Sequence, residues 1–211
     1  MSVYNKKDAI RIVTDCAQKH DTELKRKSLL YICSDKHNSI SIIELFFNDS
    51  NFCHLTGLKI NSSNNSYSAK RFYEKCINRR LSENDFELSR DGTTQLKLEV
   101  LSQFHSLVMK ANMIGDFNTS RPKLYTEKLA GGTKACVGFV VDKRSGQFVP
   151  NTVLKEDIRN ISSSLLRVLA IFRKSANELQ YSECTYTAKK VDWSSVVLPK
   201  EISYITLPSN L

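Results

Sequence analysis

The chain has 211 residues, of which 41% are hydrophobic and 25% charged, and its formal net charge is +9. This length favours one domain with a core large enough to need neither disulfides nor metal, and the composition excludes disordered and collagen-like chains. The positive charge indicates an anionic partner, although charge alone says nothing about the fold.

The N-terminus, MSVYNKKDAIRIVTDC, carries scattered charges and lacks the apolar segment of a signal peptide. No apolar stretch approaches the roughly 18 residues of a membrane helix, so we expect no contact with a membrane. The six cysteines show no CxxC spacing and the four histidines no ligand spacing. We therefore expect reduced thiols in a cytoplasmic protein, with no metal site and no cofactor.

In the first half of the chain, apolar spacing predicts a helix over about Asn5–Lys25, followed by a hairpin of two strands, Ser28–Ser34 and Ser39–Phe47. The short segment Phe52–Gly57 is predicted to be extended. A second helix, with an apolar stripe between basic residues, is predicted from about Ser68 to Leu81.

The second half is predicted to be rich in strands. Thr93 or Thr94 begins a helix that runs to about Met109. The predicted strands are Met113–Phe117, Ala135–Asp142, Phe148–Val149, Leu165–Phe172 and Tyr181–Thr187. Helices that precede strands indicate an α+β fold with N-terminal helices and a small antiparallel sheet. We expect one domain over residues 1–192 and an extended tail over 193–211.

The positive charge is concentrated in one segment. Asn51–Arg80 contains six Lys or Arg residues and a single acidic residue, so it holds +5 of the total. Such a cluster is either a solvated helix face or an anion-binding face. If it binds an anion, the residues that would contact the substrate are Lys59, Arg71, Lys75 and Arg79.

A histidine and a hydroxyl lie two residues apart at the start of this segment. In an extended chain His54 and Thr56 would point to the same side. Metal-free RNA cleavage needs a base for the 2′-hydroxyl, an acid for the leaving 5′-oxygen and donors for the charge on phosphorus. Histidine suits the first two tasks and a hydroxyl can hold a phosphate oxygen. The alternative is a half-buried strand histidine bonded to a backbone carbonyl.

Several segments in combination resemble one nuclease family. FCHLTG, KRFYEKC, TEKLAGGTKACVGF and FVPNTVL are similar to the fourth phage-linked branch of the superfamily named for barnase, EndoU, colicins E5 and D, and RelE. The resemblance extends over about Leu30–Lys190. It implies a compact α+β nuclease fold and metal-independent cleavage of RNA, or recognition of tRNA or another RNA, in conflicts that involve mobile elements.

The resemblance also implies roles for individual residues. His54 would be the general acid or base, and Thr56 the hydroxyl that contacts phosphate. Lys128 and Lys134 would stabilise transition-state charge, unless they are ordinary surface lysines. Thr185 and Tyr186 lie on the last predicted strand, where the superfamily often places a hydroxyl, and one of them must face away from the core. Thr185 would be a catalytic hydroxyl, and Tyr186 and Lys134 would contact the substrate. The alternative is a tyrosine packed at the sheet edge.

The other histidines give no second catalytic group. His20 and His37 are expected at the surface and His105 on an amphipathic helix. An active site with His54 alone would need a second acid or base, namely a lysine, a tyrosine or the substrate itself.

The sequence therefore predicts an endoribonuclease of a phage or mobile element that acts as a toxin or conflict effector on RNA, with tRNA as one candidate. Two alternatives remain open. One is a module on the same scaffold that binds nucleic acid without turnover. The other is an inhibitor directed at a host defence protein. The protein partners to consider are thus an antitoxin and a host defence protein, and the oligomeric state is not predicted.

Overall fold

The computed structural model describes residues 3–61, 68–119 and 124–208. In these ranges the helices are α1 (Lys6–Glu23), α2 (Phe52–Thr56), α3 (Ala69–Ile77), α4 (Thr93–Leu101), α5 (Phe104–Met109) and α6 (Ile158–Ile161). The strands are β1 (Lys27–Ser34), β2 (Ile40–Phe47), β3 (Lys59–Ile60), β4 (Phe86–Glu87), β5 (Met113–Phe117), β6 (Lys128–Gly131), β7 (Cys136–Val141), β8 (Phe148–Leu154), β9 (Ser162–Ser175) and β10 (Glu183–Thr187). Across the part of the chain so described, no helix is both long enough and apolar enough to span a membrane.

The predictions for the N-terminal third are largely confirmed. Helix α1 begins with a reciprocal cap, in which Asn5 accepts from the Asp8 amide and Asp8 accepts from the Asn5 amide. The predicted hairpin is formed by β1 and β2, with Tyr31 opposite Ile43. Helix α3 is also present, although it ends at Ile77 rather than near Leu81.

The main sheet closes on itself. Its strand order is β1-β2-β8-β7-β6-β5-β9, and β9 pairs again with β1, so seven strands form a ring. All neighbours are antiparallel except β2 and β8, which run parallel and meet where Leu45 is opposite Phe148. The eighth strand, β10, lies outside the ring on β9, while β3 and β4 form a separate pair.

The prediction of a small antiparallel sheet behind N-terminal helices was therefore wrong. Strand β9 has 14 residues, enough to pair with β1 along one edge and with β5 and β10 along the other. The sequence indicated only the apolar centre of this strand. It also gave no sign of β6, because the Gly131-Gly132 pair is typical of a loop. Bulges in several strand pairs add the curvature that closure needs.

The main core lies between helices α1–α5 and the inward side of the closed sheet. Tyr31, Phe47 and Phe139 come from three strands of the ring and belong to one buried cluster. The Phe47 ring lies with its centroid 6.3 Å from that of Phe104 on α5 and 6.2 Å from that of Phe139. Helix α5 therefore packs directly into the mouth of the ring.

The outer face of β1 and β9 is covered by the C-terminal segment. Ile202 and Ile205 are buried against Leu30, Ile32 and Phe172, which alternate with the inward-facing residues of their strands. The segment from residue 193 to 208 is thus packed against the sheet along much of its length.

Two histidines lie inside the protein, so the prediction that His20 is at the surface was wrong. His20 is fully buried, with Nδ1 2.9 Å from the Tyr73 hydroxyl. His105 is 2% exposed, and neither ring nitrogen has a hydrogen-bond partner among the described residues. Burial lowers the pKa of His20 to about 4 and that of His105 to about 3.

These histidines should make the protein less stable in acid. Above pH 7 both histidine side chains are neutral in the folded and in the unfolded protein. Below a pH of about 6.5 only the unfolded chain takes up their protons, so at pH 5 each histidine should lower the free energy of unfolding by about 2 kcal/mol. His105→Phe should remove one of these contributions and make the free energy of unfolding less dependent on pH. Urea unfolding at pH 7.5, 6 and 5 measures this free energy.

The matched control is His37→Phe, because His37 is exposed in the β1–β2 turn. It should leave the pH dependence as it is in the wild type. The same pH dependence in His105→Phe as in the wild type would contradict the assignment.

Candidate active site

The FCHLTG segment is helical, so the predicted extended conformation was wrong. Helix α2 ends at Gly57, whose φ of +67° is the left-handed conformation that commonly terminates helices. The apolar residues Phe52, Cys53 and Leu55 fit a short helix with one buried side as well as they fit a strand. His54 and Thr56 consequently do not share a face.

Only one side chain of α2 is exposed, and it is that of His54. Thr56 is fully buried. Its hydroxyl donates to the carbonyl of Cys53 at 2.8 Å and accepts from the amide of Leu58 at 3.1 Å. Both contacts are internal, so Thr56 helps to end the helix, and its predicted contact with phosphate stays a prediction.

Helix α4 supplies the hydrogen bonds that the end of α2 needs. Lys97 Nζ donates to the carbonyl oxygen of His54 at 2.6 Å, and the Thr94 hydroxyl donates to the carbonyl of Gly57, also at 2.6 Å. Helix C-termini leave carbonyls unpaired and favour nearby cations. Lys97 is nonetheless partly buried, and this burial lowers its pKa to about 8.

Gly57 allows this close approach of the two helices. A Cβ atom at Gly57 would lie 2.9 Å from Cδ of Lys97 and 3.2 Å from the Cα of Thr94. The first distance is shorter than ordinary carbon contacts. The glycine therefore provides both the left-handed turn and the space in which the Lys97 stem crosses it.

Two adjoining cavities form a groove along α4. The larger, of about 780 Å³, is lined by Tyr4, Glu99, Val100, Gln103, Thr133, Lys134, Ala135, Lys155, Glu156 and Asp157. The smaller, of about 330 Å³, is lined by Thr93, Leu96, Lys97, Leu124, Thr152, Val153, Leu154, Lys155 and Glu156. Lys155 and Glu156 belong to both linings, so the groove is continuous from Lys97 to the β6–β7 turn.

The groove carries charges of both signs. Two of its acidic residues have basic partners, since Glu99 pairs with Lys155 and Asp157 pairs with Arg159. Lys134, predicted from the sequence, is exposed in the β6–β7 turn at the far end. His54 contacts the near end through its main-chain carbonyl, which accepts from Lys97, and it belongs to neither cavity lining. Of the predicted residues, Lys134 is the one that lines the groove.

Three other predicted residues lie elsewhere. Lys128 pairs with Asp116 and lies with Nζ 5.9 Å from the ring centroid of Phe148 on β8. Thr185 is a bulge residue of β10 that donates to the Met109 carbonyl at 3.3 Å, and Tyr186 packs partly against the core. None of the three lines the groove.

The basic residues of the Asn51–Arg80 segment also lie away from the groove. Arg71, Lys75 and Arg79 are on α3 or just after it, and Lys59 is on β3 opposite Glu87. Lys75 forms an ion pair with Asp85. Arg79 donates to the side chain of Gln18 at 2.8 Å and lies 3.8 Å from a carboxylate oxygen of Asp15. Two of the six basic residues of this segment are therefore paired with carboxylates of the protein.

Sequence reasoning missed Lys97. One signal was available, because Lys97 interrupts the mostly apolar run Leu96–Leu101 of a predicted core helix. A second group that the sequence could not reveal is the pair of Lys155 and Glu99, which come from elements 56 residues apart. In the described ranges, no group of three or more His, Cys, Asp or Glu side chains could hold a metal ion.

Gly57→Ala should test the contact between the helices. The alanine is strained at positive φ and meets the Lys97 stem, so we expect a loss of roughly 2–4 kcal/mol in the free energy of unfolding. Gly92→Ala is the matched control, because Gly92 has φ +80° with open space around it. It should lose only about 1 kcal/mol. Equal losses in urea unfolding would show that Lys97 is not held against Gly57.

Comparison with known proteins agrees with these motifs. A family model described as phage-Barnase-EndoU-ColicinE5/D-RelE like nuclease4 (PBECR4) matches residues 12–190, from within α1 to beyond β10. Searches of the curated proteins and of the solved structures gave no match. The family match confirms the resemblance of the sequence motifs and covers most of the chain. The chain therefore belongs to the phage-associated barnase, EndoU, colicin E5/D and RelE-like nuclease family PBECR4.

Proposed function

We propose that this nuclease domain is a metal-independent endoribonuclease in which His54 and Lys97 form the acid–base pair. One observation carries the proposal. Lys97, whose pKa burial lowers to about 8, lies with Nζ 2.6 Å from the main-chain carbonyl oxygen of His54, and the side chain of His54 is exposed. Proton transfer is most effective when the pKa of the group lies near the working pH. Lys97 thus supplies the second group that His54 alone lacks.

In the proposed reaction His54 takes the proton of the 2′-hydroxyl. The 2′-oxygen attacks phosphorus, and the bond from phosphorus to the 5′-oxygen breaks. Lys97, protonated near neutral pH, gives its proton to that leaving oxygen. The products are a 2′,3′-cyclic phosphate and a 5′-hydroxyl end. Each proton has a donor and an acceptor, and no metal ion takes part.

Lys134 and Lys155 are the proposed contacts to phosphate in this groove. Lysines placed where charge develops stabilise the transition state more than the ground state. Lys128, Thr185 and Tyr186 stay predictions and would contact RNA only beyond the groove. The alternative surface is the α3 side with Lys59, Arg71, Lys75 and Arg79.

The phage association of the family supports a biological role in conflict. We propose a toxin or conflict effector of a phage or mobile element that acts in the cytoplasm on RNA, with tRNA as the first substrate to test. A protein antitoxin or a host defence protein is the protein partner that this role would involve.

Purified protein should cleave tRNA or total RNA in EDTA and leave 2′,3′-cyclic ends. His54→Gln and Lys97→Met should each lower the rate by at least about 100-fold, since general acid–base catalysis contributes that much or more. His37→Gln and Lys110→Met are matched exposed controls and should keep the wild-type rate. Gel analysis of 5′-labelled RNA measures the rates.

The pH dependence adds a signature of Lys97. The rate should fall above about pH 8 as Lys97 loses its proton, and Lys97→Arg should move this decline to higher pH. Equal cleavage by the wild type and His54→Gln would contradict the catalytic assignment. Intact RNA together with salt-sensitive binding would instead support the nucleic-acid-binding module.

Binding to uncleavable, fully 2′-O-methylated RNA should separate the two basic surfaces. Lys134→Gln with Lys155→Gln should weaken binding and reduce the slope of log K against log salt by about 1.4, the value expected when two phosphate contacts to a single strand are lost. Arg71→Gln with Arg79→Gln is the matched pair on the α3 side and should have the smaller effect. A larger effect of the Arg71 and Arg79 pair than of the Lys134 and Lys155 pair would place the RNA on the α3 side.

A further inference from the structure

The smaller cavity of the groove has a mainly apolar lining beside the proposed catalytic residues. Leu96, Leu124, Val153 and Leu154 contribute to it, together with the stem of Lys97. Its volume of about 330 Å³ is near the lower end of the range for small-ligand sites, roughly 300–1,000 Å³. A single planar heterocycle fits this description, whereas a base-paired duplex does not.

One exposed apolar side chain lines this cavity, and another follows a lining residue in the sequence. Leu96, which lines it, is 44% exposed, and Tyr125, which follows the lining residue Leu124, is 72% exposed. The Tyr125 backbone is fixed to β8, because its carbonyl accepts from the side-chain amide of Asn151. Tyr125 is thus a solvent-facing aromatic residue with an anchored backbone, one residue from the lining of an apolar pocket. Such rings are the usual stacking platforms for unpaired bases.

The cavity wall also holds a polar group without a partner. Thr152 is 2% exposed, and its hydroxyl makes no hydrogen bond to any described residue. Buried hydroxyls are normally paired, so a missing partner indicates either a loss of stability or a place where a ligand completes the bond. The edge of a nucleobase can both donate to and accept from such a hydroxyl.

The charges around the cavity favour an occupant that carries phosphate. Lys97 and Lys155 contribute to the same lining as the apolar residues, together with one acidic residue, Glu156. An apolar pocket flanked by lysines suits a base with its phosphate better than it suits an apolar peptide or a lipid. The cavity also adjoins Lys97, which the proposed mechanism places at the leaving oxygen.

We propose that this cavity binds one unpaired nucleobase next to the cleaved phosphate, with Tyr125 stacking on the base and Thr152 contacting its edge. The substrate class is then single-stranded RNA or an RNA loop, because a base must leave its helix to enter such a pocket. This inference rests on the proposed function, since it assumes that the groove binds RNA.

Uncleavable RNA tests the inference independently of catalysis. The probes are fluorescent 2′-O-methyl decamers in three forms: single-stranded with bases, single-stranded and abasic, and fully paired with a complement. The full-length protein should bind the single strand with bases at least about tenfold more tightly than either other form, as expected for base stacking. Fluorescence anisotropy at fixed salt measures the dissociation constants.

Variants of the lining give the residue-level test. Tyr125→Ala should weaken binding of the base-containing strand about tenfold and leave abasic binding unchanged, while Tyr125→Phe keeps the wild-type affinity. Thr152→Val should weaken only the base-containing strand. Its thermal stability should be equal to or above that of the wild type, because it removes an unpaired buried hydroxyl. A purely structural threonine would instead change stability without changing affinity.

The outcomes separate this proposal from the one on which it rests. Equal affinity for all three probes, or no effect of Tyr125→Ala, would overturn the base pocket and leave RNA binding by the groove intact. No binding to any probe would overturn both. Preference for the base-containing strand that disappears in Tyr125→Ala and returns in Tyr125→Phe would establish the pocket.

Discussion

The pairing of β9 with β1 is the constraint on which the other features depend. It places Ile171 opposite Tyr31 and turns an open sheet into a ring. An open sheet of this composition would expose the apolar side chains that now converge from opposite strands on Phe47 and Phe139. Closure places these residues in one shared interior. Helix α5 packs at the open end of the ring, where the Tyr31 hydroxyl donates to the Val108 carbonyl of that helix. The remaining helices then have a fixed surface to pack on.

The candidate chemistry follows from where this packing leaves α4. The helix lies close enough to α2 for Lys97 to donate to the His54 carbonyl. At that position two effects on the pKa of the lysine oppose each other. Its hydrogen bond to the His54 carbonyl at a helix C-terminus favours the ammonium, whereas partial burial favours the neutral amine. Burial is the largest influence on the pKa of Lys97, which is lowered. A lysine that can exchange a proton near neutral pH is thus a product of helix packing and needs no acidic partner.

Local patterns in the sequence predicted local structure well and long-range structure poorly. The capped helix α1, the β1–β2 hairpin and strand β5 follow from periodicity and turn residues, and the family motifs were recognised correctly. Ring closure could not be predicted, because it depends on which distant strands pair. The FCHLTG segment was ambiguous, since buried residues at positions 52, 53 and 55 suit a strand or a helix, and only Gly57 favoured the latter. His54 was identifiable by residue type. The relevance of Lys97 depends on its contact with His54, which is 43 residues away in the sequence.

Charge shows most clearly why a site cannot be located from a segment alone. Asn51–Arg80 holds +5, yet its lysine and arginine side chains include Lys75, bound to Asp85, and Arg79, near Asp15. Partners from outside the segment thus reduce the field that its composition suggests. The groove acquires its lysines from α4, the β6–β7 turn and the end of β8, each of which is unremarkable in sequence. Anionic ligands respond to charges that are close in space, so the folded arrangement, rather than the density of basic residues along the chain, decides which surface RNA would meet first.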